Sequence, residues 1–120
     1  MYEYRCSLVK VIDGDTIDVC IDLGFKVTLS NERVRLSGID TPESRTRNLE
    51  EKKLGLAAKA RLKELLPKKF VIRTVKDDKG KFGRILGIPF VDDIDICQQL
   101  IEEGHAREYS GKKKKPWIVM

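Results

Sequence analysis

The first third of the chain alternates apolar and polar residues with a period of two, a pattern that gives a one-sided apolar face only in extended backbone. Cys6, Leu8, Lys10 and Ile12 share one parity, Ile17, Val19, Ile21 and Leu23 a second, and Phe25, Val27 and Leu29 a third. Three strands are therefore predicted before Ser30. Asp13-Gly14 separates the first two, and Asp-Gly between alternating hydrophobics signals a tight hairpin. Val34-Arg35-Leu36-Ser37-Gly38-Ile39 predicts a further strand, with Gly38 marking a bulge or a close backbone approach, and it stops at Thr41-Pro42. From 52 to 66 the spacing changes to Leu54, Ala58, Leu62, Leu65 and Leu66, a helical stripe that Pro67 ends. Alternating segments at 70–75 and 85–90 flank a polar loop, and a short helix at 97–103 closes on Gly104 as a left-handed cap. Phe25, Phe70 and Phe90 fall in strand patterns, which predicts burial. Five strands, one long helix among them and a second helix behind predict a mainly β, α+β domain: a five-stranded OB-type barrel with two helices packed outside.

A chain of 120 residues, 41% hydrophobic, supports one core and leaves no room for a second. We expect the domain to occupy 1–109 and a basic tail 110–120. The net charge of +5 comes largely from four consecutive lysines at 112–115, so the body is close to neutral and charge alone does not establish a nucleic-acid partner. The single histidine, His105, excludes two-imidazole acid/base catalysis and multi-histidine metal cages. Hydrolytic chemistry would fall to carboxylates. Cys6, Cys20 and Cys97 are too far apart for a zinc or disulfide signature and read as small hydrophobes. Neither a leader-like amino terminus nor a membrane-length apolar run is present, so a cytoplasmic chain with no membrane partner is expected. No protein partner is implied, and a monomer is expected.

Four acids stand where strands meet turns: Asp13 and Asp15 in one segment, Asp40 and Glu43 in another. Each has an ordinary explanation, the first as a hairpin turn and the second as a helix start with Asp40 capping and Glu43 completing a capping box. If the two strands are barrel neighbours, the carboxylates converge, and converging anions call for a cation. Oxygen ligands point to calcium or magnesium. Arg35 and Arg84 lie in positions to face an anionic substrate beside that ion, although either could equally form a surface ion pair. A cation, two guanidiniums and a glutamate are the parts needed for phosphodiester hydrolysis.

Asp13-Gly14-Asp15-Thr16, the run from Val34 to Glu43, Gly55 with Ala57-Ala58, Phe82-Gly83-Arg84-Ile85-Leu86-Gly87 and Leu100-Ile101-Glu102-Glu103-Gly104-His105-Ala106 together resemble, in that order, the staphylococcal (micrococcal) nuclease family. The resemblance spans about residues 5 to 109. It implies an OB-type barrel that uses Ca2+ to hydrolyse DNA and RNA, single strands preferentially, leaving 3′-phosphate ends. It also implies that Asp15, Asp40 and the Thr41 carbonyl hold the calcium with Asp13 nearby, that Glu43 orients or deprotonates water, and that Arg35 and Arg84 clamp the phosphate. Three departures accompany it. Phe82 replaces the usual tyrosine, Cys97 stands where an asparagine often caps the second helix, and the family's third helix is absent, leaving Trp117 either docked on the barrel or loose. Arg45, Arg47 and Lys81 are candidate phosphate contacts or solvated loop charges, and Tyr109 is a candidate substrate contact. A non-catalytic nuclease-like binding module is the alternative, but it should have lost acids or arginines that are all retained here. A plain single-strand-binding barrel would need exposed stacking aromatics.

Overall fold

The computed structural model describes residues 2–75, 84–109 and 117. Three long antiparallel strands come first, β1 (Glu3–Asp13), β2 (Thr16–Gly24) and β3 (Val27–Leu36), followed by the short β4 (Ile39–Asp40). Helix α1 (Leu49–Leu65) leads to β5 (Lys69–Thr74), β6 (Ile85–Val91), β7 (Ile94–Asp95), α2 (Ile96–Glu102) and the two-residue β8 (Arg107–Glu108). The main sheet runs β3-β2-β1-β5-β6-β7, and a parallel pairing of Val34, Arg35 and Leu36 with Ile85, Leu86 and Gly87 closes it. Five strands, β1, β2, β3, β5 and β6, thus form the expected barrel with two helices outside. Its interior is filled by Ile17, Val19, Ile21, Val34, Leu36, Ile72 and their neighbours, with Leu62 of α1 and Leu100 of α2 packed onto it.

The alternation is broken where the ladder is. Between Leu8 and Lys10 the β1–β2 register shifts, leaving Val9 without a partner residue, and the buried parity passes from Cys6 to Val11. A bulge inserts one residue and reverses which face the following side chains occupy. The two segments predicted as a third strand and the strand at 34–39 prove to be one strand, β3, bulged near Asn31, which takes a positive φ of 53°. Phe25 is a correction. It and Lys26 are the two central residues of the β2–β3 hairpin, both left-handed (φ 54° and 65°), and the ring is fully exposed. Leu23, Val27 and Leu29 beside it are exposed as well. Phe70 is buried as predicted, and Phe90 half-buried.

Helix α1 begins three residues before the expected start because Asn48 caps it, its side chain accepting from the N–H groups of Glu50 and Glu51. Asp40 is therefore no helix cap; it belongs to β4. Helix α2 is capped by Asp95, whose carboxylate accepts from the Gln98 N–H at 3.0 Å. The expected missing cap at Cys97 is accordingly not a loss: Cys97 lies inside the first turn, buried, and burial pushes its thiol up to about 12. Cys6 is likewise buried with its thiol pushed up to about 12, whereas Cys20 is half-buried.

Candidate functional site

Both acidic segments lean on one face of α1, and two glycines allow it. A Cβ on Gly14 would lie 2.8 Å from the Ala58 Cβ and 3.0 Å from the Thr41 hydroxyl. A Cβ on Gly55 would lie 2.5 Å from the backbone carbonyl of Glu43. Removing both side chains lets the β1–β2 turn and the loop after β4 reach the helix together. The Ser44 hydroxyl, donating to the Asp13 carboxylate, fastens one segment to the other.

Asp15 is buried and stands at the junction. Its carboxylate accepts from the Thr41 N–H at 3.3 Å and from the Thr16 hydroxyl at 3.2 Å, and lies 3.4 Å from the Arg35 Nη2. Arg35 faces Thr16 across the β2–β3 ladder and also donates through Nη1 to the carbonyls of Leu36 at 2.8 Å and Asp15 at 3.4 Å. Those contacts fix the guanidinium plane. Arg35 also lines a cleft of about 340 Å³, with Arg84, Leu86, Ser37, Gly38 and Tyr109 among the other residues around it. The Arg35 guanidinium carbon is 6.0 Å from the Tyr109 ring centre, and the Tyr109 N–H donates to the Gly38 carbonyl at 2.9 Å. Barrel closure through β6 is what delivers Arg84, which immediately precedes that strand, to the same opening as Arg35.

Asp40 is 1% exposed, the most buried charged residue among those described. Its Oδ2 accepts from Arg107 Nη2 at 3.0 Å and Nε at 3.3 Å, and from the Trp117 indole N–H at 3.2 Å. Trp117 is thus docked. Glu43 sits exposed on the loop between β4 and α1, its N–H donating to Glu51 at 3.0 Å. Arg45 and Arg47 stand exposed farther along that loop. Lys81 and Phe82 lie outside the described residues, as do 110–116. The structure therefore brings Thr41 and Arg35 each into contact with Asp15, and places Arg35, Arg84 and Tyr109 around one cleft.

The donor set fits a hard divalent cation. Asp15 and Asp40 would supply buried carboxylates and Thr41 a carbonyl, and the buried Thr41 hydroxyl oxygen has no hydrogen-bond partner among the described residues. All are oxygen donors, as calcium and magnesium require. Among the described residues no cluster of three or more His, Cys, Asp or Glu side chains forms, so water would complete the coordination. Sequence reasoning missed Arg107, which is the register partner of Asp40 in the β4–β8 ladder, and Ser44. Neither carries a local motif; each becomes visible only through long-range pairing.

Residues 33–117 match the family described as Staphylococcal nuclease homologue. The chain is 36% identical over 99 residues to a thermonuclease of Staphylococcus intermedius, covering 82% of this chain and 55% of that protein. It is 37% identical over 103 residues to the endonuclease YncB of Bacillus subtilis, covering 84% and 46% respectively. A micrococcal nuclease of Shigella flexneri is 35% identical over 88 residues, 73% of this chain and 43% of that one. The chain spans about half the length of these relatives. A closed five-stranded barrel carrying its acids and arginines on the strands and turns of this order, and this sequence match across most of its length, place the chain in the staphylococcal nuclease family.

Proposed function

We propose that the chain is a calcium-dependent, sugar-nonspecific nuclease that hydrolyses phosphodiester bonds in DNA and RNA, single strands preferentially, leaving 3′-phosphate ends. The observation that carries this reading is the double engagement of Arg35, which pairs with Asp15 at 3.4 Å and also lines a cleft together with Arg84. The acid side and the cation side of the site therefore meet at one residue.

In this reading Asp15, Asp40 and the Thr41 carbonyl hold the calcium, which when bound would polarise a phosphate oxygen and help neutralise the charge that builds on it. Arg35 is held by the Leu36 and Asp15 carbonyls before substrate arrives, so little reorganisation is needed as charge grows on the phosphate. Arg84 meets the phosphate from the opposite lip. Glu43 accepts a proton from water as its oxygen attacks phosphorus; the bond from phosphorus to the 5′ oxygen breaks, and the leaving alkoxide takes its proton from solvent water, no side chain being assigned as its acid. Tyr109 lines the cleft where it can contact the substrate, Arg45 and Arg47 are taken as contacts for flanking nucleotides, and Lys81 and Phe82 are assigned the same role from the sequence alone.

The test is incubation of labelled single-stranded DNA, duplex DNA and RNA with calcium, magnesium or a chelator, followed by identification of the product ends. Cleavage of both sugars in calcium, its loss on chelation, and its collapse in Arg35→Ala, Arg84→Ala and Glu43→Ala are expected. Binding without cleavage in calcium would instead make the chain a nucleic-acid-binding module.

A further inference from the structure

The two carboxylates assigned to the cation are each held by an arginine, but the two arginines are held very differently. Arg35 beside Asp15 is 11% exposed at its side chain and tied to two backbone carbonyls. Arg107 beside Asp40 is 31% exposed and belongs to a two-residue strand at the edge of the fold. Its guanidinium lies 4.1 Å from the centre of the Trp117 ring, and the indole N–H donates to the same carboxylate oxygen, Oδ2, that Arg107 engages. Three N–H donors on one oxygen compensate the burial of this carboxylate.

We propose that Arg107, steadied by Trp117, is a built-in competitor for the divalent cation at Asp40, and that its hold on Oδ2 sets the affinity for the ion. The proposal rests on Asp40 being a cation ligand. A divalent ion and a guanidinium on one carboxylate repel each other at close range, so binding the ion requires Arg107 to withdraw or to lose part of its interaction. Its exposed side gives it somewhere to go, whereas Arg35 is locked. Stacking on the indole strengthens the resting position and therefore raises the barrier to ion binding. Arg107 and Trp117 act on the ion only through Asp40, which makes them positioning residues.

Trp117 is the chain's one tryptophan, so its emission reports on this contact directly. The experiment titrates the full chain with calcium alone, following tryptophan emission and, separately, heat of binding. We expect an emission change with the same midpoint as the calorimetric one. Arg107→Gln should bind calcium about tenfold more tightly and melt at lower temperature than the parent in chelator, the two effects having opposite sign. Trp117→Phe, which removes the donor and keeps a ring, should fold and bind calcium a few-fold more tightly. Equal or weaker binding in both variants would overturn the proposal. Asp40→Asn separates the two levels: if it binds calcium as well as the parent, the cation reading of Asp40 itself fails; if it loses binding while Arg107→Gln and Trp117→Phe match the parent, only the competition fails.

Discussion

Replacing Gly55 by alanine sets two effects of known sign against each other. Within a helix the change alone should stabilise by up to about 1 kcal/mol, because glycine is a poor helix former. At this position, however, the new Cβ would lie 2.5 Å from both the carbonyl carbon and oxygen of Glu43 and 2.7 Å from the Pro42 oxygen. Carbon atoms in contact normally sit at about 3.5 Å or more, so the loop or the helix must move by about 1 Å. The obstruction is backbone, which cannot rotate out of the way as a flexible side chain would. Overpacking costs about 1–3 kcal/mol, and against unyielding backbone the upper half of that range applies, so the net expected loss is about 1–2 kcal/mol, or about 4–8 °C in Tm for a domain of this size. If Glu43 aligns the attacking water as proposed, a displacement of about 1 Å there can cost about 100-fold in rate. Urea unfolding and single-turnover cleavage of a labelled oligonucleotide measure the two consequences, with Lys53→Ala on the exposed side of the same helix as control. A Gly55→Ala protein as stable and as active as the parent would show that loop and helix are not held at this contact.

Three further outcomes follow from features of the barrel and its loops. Hydrogen bonds from Arg61 and Gln99 hold the Glu103 carboxyl down at about 2, below its ordinary 4.5, so this link between α1 and α2 stabilises the fold above the ordinary value and is lost as pH falls toward 2; Glu103→Gln should flatten the unfolding midpoint over that interval, and an unchanged acid profile would count against the link. Phe25 and Lys26 both sit at positive φ, where Asn-Gly is the favoured pair, so Phe25→Asn with Lys26→Gly should raise stability by about 1 kcal/mol in denaturant unfolding; destabilisation would mean that the exposed ring contributes something the fold does not reveal. If Arg45 and Arg47 each contact a phosphate, replacing both by alanine should reduce the salt slope of single-strand affinity by about 1.4, and an unaltered slope would assign them to solvent.

Much of the barrel was legible because the apolar residues of β2, β5 and β6 keep their alternation and because Pro67 and Gly104 punctuate the helices. The bulges at Val9 and near Asn31 were not, since a bulge is a disagreement between two strands and neither sequence carries it alone. Phe25 misled for a related reason: the alternation extends past the point where the hairpin leaves the core, so parity persisted where burial did not. The boundaries of α1 depended on Asn48, a capping residue overshadowed in the sequence by Asp40 and Glu43. Of the candidate site residues, Asp15 and Asp40 were legible as acids where strands meet turns, and the nearness of their two segments is borne out by the contact of Asp15 with the Thr41 N–H. Arg107 was not legible, because its importance derives from facing Asp40 across a ladder joining distant parts of the chain.

The pairing of Val34, Arg35 and Leu36 with Ile85, Leu86 and Gly87 also has a temporal meaning. During synthesis the segment carrying Arg35 and the acids is complete long before β6 emerges, and until then the second guanidinium and the far lip of the cleft do not exist. If the proposed activity holds, a chain still being made lacks the full phosphate clamp, and the two guanidiniums come to share one opening only when this seam closes.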